Sequence, residues 1–124
     1  IEWFMRTSLQ PPMFAISIGK TRYSYECLEA NRYFNLVFPS LKMKPLLTFC
    51  GSNSGRDMDK FAENNVEFIS GKLHKLPVLK DAVACFECEV VSQILSGDHT
   101  IYIGKVHYSW QNPEEKLFWY QEGL

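Results

Sequence analysis

Two long arms of alternating side chains, residues 83–95 and 99–109, meet at Ser96-Gly97-Asp98. No other feature restricts the fold of this chain as strongly. In the first arm Ala84, Phe86, Cys88 and Val90 share one face, and Glu87 and Glu89 share the other. A period of two belongs to a strand, not a helix. The second arm, Thr100 to Tyr108, is rich in β-branched and aromatic residues, which suit a pleated surface. A glycine-containing turn between two such arms predicts a β-hairpin.

The remainder reads as short elements around that hairpin. Residues 1–10 are mixed. Pro11-Pro12 breaks any helix and starts an extended segment, so 12–18 is expected as a strand. From Tyr23 to about Asn31, Tyr23, Cys27, Leu28 and Ala30 recur at helical spacing. Tyr33 to Phe38 is a strand stopped by Pro39, and Pro45 fits the first turn of a helix carrying Leu46, Leu47 and Phe49. A small-residue loop, Cys50 to Asp57, leads to a helix with Asp57 as its expected cap. Val66 to Ile69 reads as a short strand, Pro77 as part of a connection, and Leu117 to Tyr120 as a last strand. Strands outnumber helices and no regular βαβ alternation occurs. The fold class is therefore mainly β, an α+β or barrel domain, and the element order argues against a doubly wound nucleotide fold.

With 124 residues, 46% hydrophobic and 15% aromatic, the chain is sized for one domain with one core. A net charge of −1 argues against a general nucleic-acid binder. No apolar run approaches the roughly 20 residues that span a bilayer, and neither a secretory signal nor a repeat is evident. The first residue is Ile1, so a preceding piece is expected. Four cysteines in a chain able to build a core point to reduced thiols and a cytoplasmic protein. Cys85 and Cys88 have the spacing of a zinc half-site, but residues three apart on a strand face opposite ways, and no second ligand pair is present. Cys50 has three candidate bases, His74, His99 and His107, yet spacing sets no geometry between them. No metal and no catalytic side chain is expected.

The chemistry-bearing stretch is Ser17 to Glu26. An apolar strand runs into Gly19, and Lys20, Thr21, Arg22 and Ser24 then open a helix. The free N–H groups of a helix start attract an anion, and cationic and hydroxyl side chains complete such a site. A simple capped helix fits the same ten residues. Lys60 lies in the first turn of a helix, an electrostatic mismatch that an anion or an electron-rich ring between them would relieve. His99 stands at the mouth of the hairpin turn. Trp3 with Phe4 suits either stacking on a planar ring or the core.

Set in order, these fragments carry a resemblance. Trp3 with Ser8-Leu9-Gln10-Pro11-Pro12, the stretch Ser17 to Glu26, Phe49-Cys50-Gly51, Ser54 to Phe61 and Gly97-Asp98-His99 resemble the flavin reductase-like family, the FMN-binding split barrels, and within it the flavoredoxins. The resemblance implies a Greek-key split β-barrel with short flanking helices, formed as one domain over 1–124 without the family's opening strand and C-terminal tail. It implies a homodimer with FMN near the interface. Trp3 would lie against the flavin, and Ser8 would join the cofactor contacts. Lys20, Thr21, Arg22 and Ser24 would form the phosphate end, with Lys60 and His99 approaching from their own loops. The implied function is FMN-dependent electron transfer, as an NAD(P)H-dependent flavin reductase or a flavoredoxin-type carrier with a redox partner protein. Met5 and Arg6 replace the small hydroxyl residue usual after the tryptophan, and Val37 replaces a usual asparagine. These departures keep a split-barrel module without flavin as the alternative.

Overall fold

The computed structural model describes residues 1–112. The elements follow as β1 (Phe4–Leu9), β2 (Pro12–Gly19), α1 (Tyr23–Ala30) and β3 (Tyr33–Phe38). A 3₁₀ turn (Leu41–Met43) leads to α2 (Lys44–Ser52) and α3 (Lys60–Glu63). Then come β4 (Phe68–Ser70), β5 (Pro77–Leu79), β6 (Ala84–Ser96) and β7 (His99–Gln111). The predicted hairpin is the β6–β7 pair, running from Ala84 opposite Gln111 to Ser96 opposite His99 with register shifts between Glu87 and Cys88 and between Val90 and Ser92. That pairing leaves Gly97-Asp98 as a two-residue turn. Gly97, the first of the two, has φ +61°, a conformation that glycine adopts without strain.

Five strands form one antiparallel sheet in the order β1-β2-β7-β6-β3. Strands β2 and β3, consecutive in the chain, flank the later hairpin, which is the Greek-key crossing. The sheet curls until its two edges meet. Phe4 of β1 packs edge-on against Phe38 of β3 with ring centroids 5.6 Å apart, and no strand ladder joins β1 to β3. The barrel is thus closed by rings at an open seam, the split form.

The inner face carries the core. Ile16, Ile18, Leu28, Leu36, Val90 and Tyr102 are buried together, and Phe14, Phe34, Phe38 and Phe86 pack against them. The face read from alternation as Ala84, Phe86, Cys88 and Val90 is this inner face: Phe86 pairs with Leu36, Cys88 with Phe34, and Val90 with Gly104. Gly104 makes room for Phe34, since a Cβ there would stand 2.5 Å from Phe34 Cζ.

The outer face differs from a simple polar-out strand. Glu87 is only 1% exposed. The segment from β4 to β5 lies across it, and Glu87 accepts hydrogen bonds from the Leu73 N–H at 2.9 Å and the Trp110 indole N–H at 2.8 Å. Its strand neighbour Asn35 donates to the Pro77 carbonyl at 2.9 Å. Both faces of the hairpin's base are therefore buried. Cys85 and Cys88 lie on opposite faces, and burial pushes each thiol up to about 12. All four cysteines are free. No helix among the described residues is long and apolar enough to cross a membrane.

Several local expectations change. The mixed opening residues form β1, an edge strand exposed along most of its length, which hides its periodicity. The strand expected at Val66–Ile69 is β4, two residues later, and Pro77 opens β5 as its partner. Asp59, not Asp57, caps α3, accepting from the Phe61 and Ala62 amides at 3.1 Å each. The strand expected at Leu117–Tyr120 lies outside the described residues.

Three substitutions test this packing. Gly104→Ala is expected to cost about 1–3 kcal/mol in denaturant unfolding, because the added methyl overpacks against Phe34 and Cys88. Glu87→Ala leaves two partly buried donors without their acceptor and is expected to cost about 3 kcal/mol. Glu89→Ala, removing a partly exposed partner of His107, is expected to cost under about 1 kcal/mol. Equal losses from the two glutamate variants would contradict the buried outer face.

Candidate functional site

Three chain segments converge where β2 ends. Gly19 pairs with His99 at the start of β7. The Lys20 amide donates to the Asp98 carbonyl at 3.0 Å, and the Lys20 ammonium donates to the Gly97 carbonyl at 2.8 Å. The β2–α1 turn and the hairpin turn are thereby tied together. The third segment is the chain start: the Ser17 amide donates to the Trp3 carbonyl at 3.0 Å. This places the Trp3 ring on the His99 imidazole, centroids 4.4 Å apart and planes 27° apart. The Trp3 residue stays 54% exposed. His99 Nδ1 stands 2.6 Å from Asp98 Oδ1, and this contact with His99 holds the Asp98 carboxyl below its usual range, with the Lys20 charge adding to it.

Helix α1 leaves this junction with an open start. Its cap residue, Arg22, is extended, and no side chain caps the first turn. Thr21, Arg22 and Ser24 are exposed, and among the described residues no hydrogen bond engages their side chains. Uncapped amides with a guanidinium and two hydroxyls beside them suit an anion. The helix itself is held by Leu28 in the core and by Glu29 on the inner strands β6 and β7. Glu29 accepts from the Tyr102 hydroxyl at 2.8 Å and the Gln93 amide at 2.9 Å. Those two bonds, Tyr102 first, keep its carboxyl below the usual value.

The loop after α2 docks on the same helix. The Arg56 guanidinium pairs with Glu26 and lies 5.5 Å from the centre of the Tyr23 ring. Gly55 permits the approach, since a Cβ there would stand 3.2 Å from Tyr23 Cδ1. Lys60 resolves its mismatch differently from the sequence expectation. Its ammonium donates to the Cys50 carbonyl at 2.8 Å, in the last turn of α2, where a cation is favoured. Ser8 sits opposite Met13, six residues along β2 from Gly19, or about 20 Å at strand rise. Within one chain the structure thus groups Trp3, Lys20, Thr21, Arg22, Ser24 and His99. Lys60 joins through its loop, and Ser8 lies apart.

Comparison with known proteins bears on what this junction serves. The profile of the flavin reductase like domain matches residues 1–124. The chain belongs to the flavin reductase-like family. An NADH-dependent FAD reductase of Streptomyces globisporus is 30% identical over 118 residues, covering 93% of this chain and 64% of that protein. An FMN-binding protein from Thermus thermophilus, solved with p-hydroxybenzaldehyde, superposes with a TM-score of 0.80 at 30% identity, covering 88% of this chain and 60% of the other. A flavoredoxin from Methanosarcina acetivorans gives 0.81 at 26% identity, covering 90% and 59%. The chain spans 40–60% of the length of several curated relatives it matches.

Tyr23, Gly55 and Arg56 stand inside the motifs read from sequence, but only the structure docks Gly55 and Arg56 on the Tyr23 ring. Glu29 lies outside those motifs and meets Tyr102 across 73 residues of chain. No spacing rule links such distant partners. Asp98 stood inside a quoted motif, but only the pairing register shows its carboxylate against His99.

The Glu29 anchor predicts a pH effect. Its folded carboxyl lies below the ordinary value of 4.5, so its contribution is complete above that value and lost as pH falls through the folded one. Glu29→Gln keeps an acceptor and removes the titration. Urea midpoints between about pH 5 and pH 3 are expected to fall more for the wild type than for Glu29→Gln. Parallel profiles would contradict this role.

Proposed function

We propose that this domain binds FMN and serves a redox protein that moves electrons through it. The observation that carries the reading is the open start of α1. Thr21, Arg22 and Ser24 surround the uncapped Tyr23 and Ser24 amides, while the Arg22 and Tyr25 amides donate to the Gly19 and Arg22 carbonyls, and the Trp3–His99 stack stands at the same junction. These residues fit the cofactor's two chemistries, an anionic phosphate and a planar aromatic ring. In this reading Arg22, Thr21, Ser24 and the first-turn amides hold the phosphate, and Trp3 offers a ring face. Lys20 holds the hairpin turn in place, and Lys60 secures the 53–59 loop to α2.

When bound, FMN supplies the capacity to accept a hydride and release electrons singly or in pairs, and the protein supplies binding, orientation and electrostatics. No side chain of the site is asked to act as acid or base. The donor in this reading is NAD(P)H, with free flavin or a redox partner protein as acceptor. The names of the matched reductase and flavoredoxin support the two arms of the proposal, reductase and carrier. A homodimer is part of it. Met5 and Leu9 on edge strand β1, with Trp3 just before it and Val91, Ile94 and Leu95 on the outer half of β6, leave apolar surface that a second copy would cover.

The test is optical. Added FMN is expected to bind with a shifted oxidised-flavin spectrum, and Ser24→Ala to weaken that binding about three- to tenfold through one lost phosphate contact. Anaerobic bleaching by NADH or NADPH supports the reductase arm, and its absence with FMN bound supports the carrier arm. Failure of the full-length protein to bind FMN overturns the reading in favour of a module without flavin.

A further inference from the structure

We propose that Asp98 is a positioning residue that fixes the tautomer and orientation of His99, leaving His99 Nε2 as a hydrogen-bond acceptor beside Gly19. An ionised carboxylate only accepts hydrogen bonds, so the 2.6 Å contact requires the proton on Nδ1. A neutral imidazole carries one N–H, and placing it on Nδ1 leaves a lone pair on Nε2. Nε2 lies 3.6 Å from where a Cβ on Gly19 would stand, and the missing side chain keeps that flank open.

The ring has little freedom to choose otherwise. Trp3 covers one face at 4.4 Å. Lys20 pins the turn from which both side chains spring, through its amide on the Asp98 carbonyl and its ammonium on the Gly97 carbonyl. Asp98 itself reaches into solvent, with its side chain 96% exposed, so no packing role explains the carboxylate. The ligand group this arrangement takes is a hydrogen-bond donor. Resting on the flavin reading above, that donor is the ring imide N–H or a ribityl hydroxyl of FMN. The inference about Asp98 and His99 stands on this chain alone.

The experiment reads the ring nitrogens directly. The full chain is labelled with ¹⁵N, and two-bond ¹H–¹⁵N correlations of His99 are recorded about two units above the ordinary histidine pKa of about 6.5. His99→Gln assigns the signals. The wild type is expected to show a protonated Nδ1 and a bare Nε2. Asp98→Ala is expected to move the larger population to Nε2–H. Asp98→Asn, whose amide oxygen still accepts from Nδ1–H, is expected to keep the Nδ1–H form in the majority. A wild-type ring already in the Nε2–H form overturns the proposal, and so does an Asp98→Ala spectrum that matches wild type. FMN titration supplies the second arm: Asp98→Ala is expected to bind FMN about fivefold more weakly. Equal FMN affinity overturns the acceptor role of Nε2. A wild type that binds no FMN overturns that role together with the flavin reading, while the ring spectra still decide the hold of Asp98 on His99.

Discussion

The structure depends on a hairpin that is buried on both faces at its base and free at its tip. Phe86, Cys88 and Val90 face the aromatic core, while Cys85 and Glu87 face the segment that runs from β4 to β5. A carboxyl group at such a place is tolerated because each of its oxygens accepts a hydrogen bond. The Leu73 amide and the Trp110 indole both donate to Glu87, so the outer layer is anchored at the buried carboxylate itself. Beyond Val90 an extra residue, Val91, shifts the register, and the strand runs on to Ser96 exposed. The rigid base thus carries the Gly97-Asp98 turn out to where β2, α1 and the chain start meet it.

That meeting point couples the two ends of the candidate site. Lys20 belongs by sequence to the anion-binding stretch, yet both its polar groups hold the hairpin turn. The residue next to it, Thr21, belongs to the open helix start. The turn beside His99 and the start of α1 are therefore tied together through Lys20. The Arg56 pairing with Glu26 and the Glu29 bond to Tyr102 restrain α1 from two other sides. A short helix of eight residues would be marginal alone, and tertiary contacts of this kind are what hold it.

Much of this was legible in the sequence, for physical reasons. Long alternating arms and a glycine turn specify a hairpin whatever surrounds them, and proline placed the starts of β2 and α2. The same logic failed at β1, where an edge strand facing solvent on both sides shows no alternation. It failed at Glu87, whose burial comes from a distant segment lying across it. Asp57 and Asp59 are equally good caps by residue type, and only backbone geometry separates them. Lys60 reads from sequence as a cation mismatched with its helix start, which an anion or a ring would relieve. Its partner is the carbonyl of Cys50 at the end of α2, which no local pattern could reveal.

The central claim is that the start of α1 holds the phosphate of a flavin whose ring lies by Trp3 and His99. Affinity for FMN against riboflavin, which differ only in that phosphate, tests it most directly. The wild type is expected to bind FMN at least about tenfold more tightly than riboflavin, and Arg22→Ala to close most of that gap by weakening FMN alone. Equal affinity of the wild type for FMN and riboflavin would contradict it.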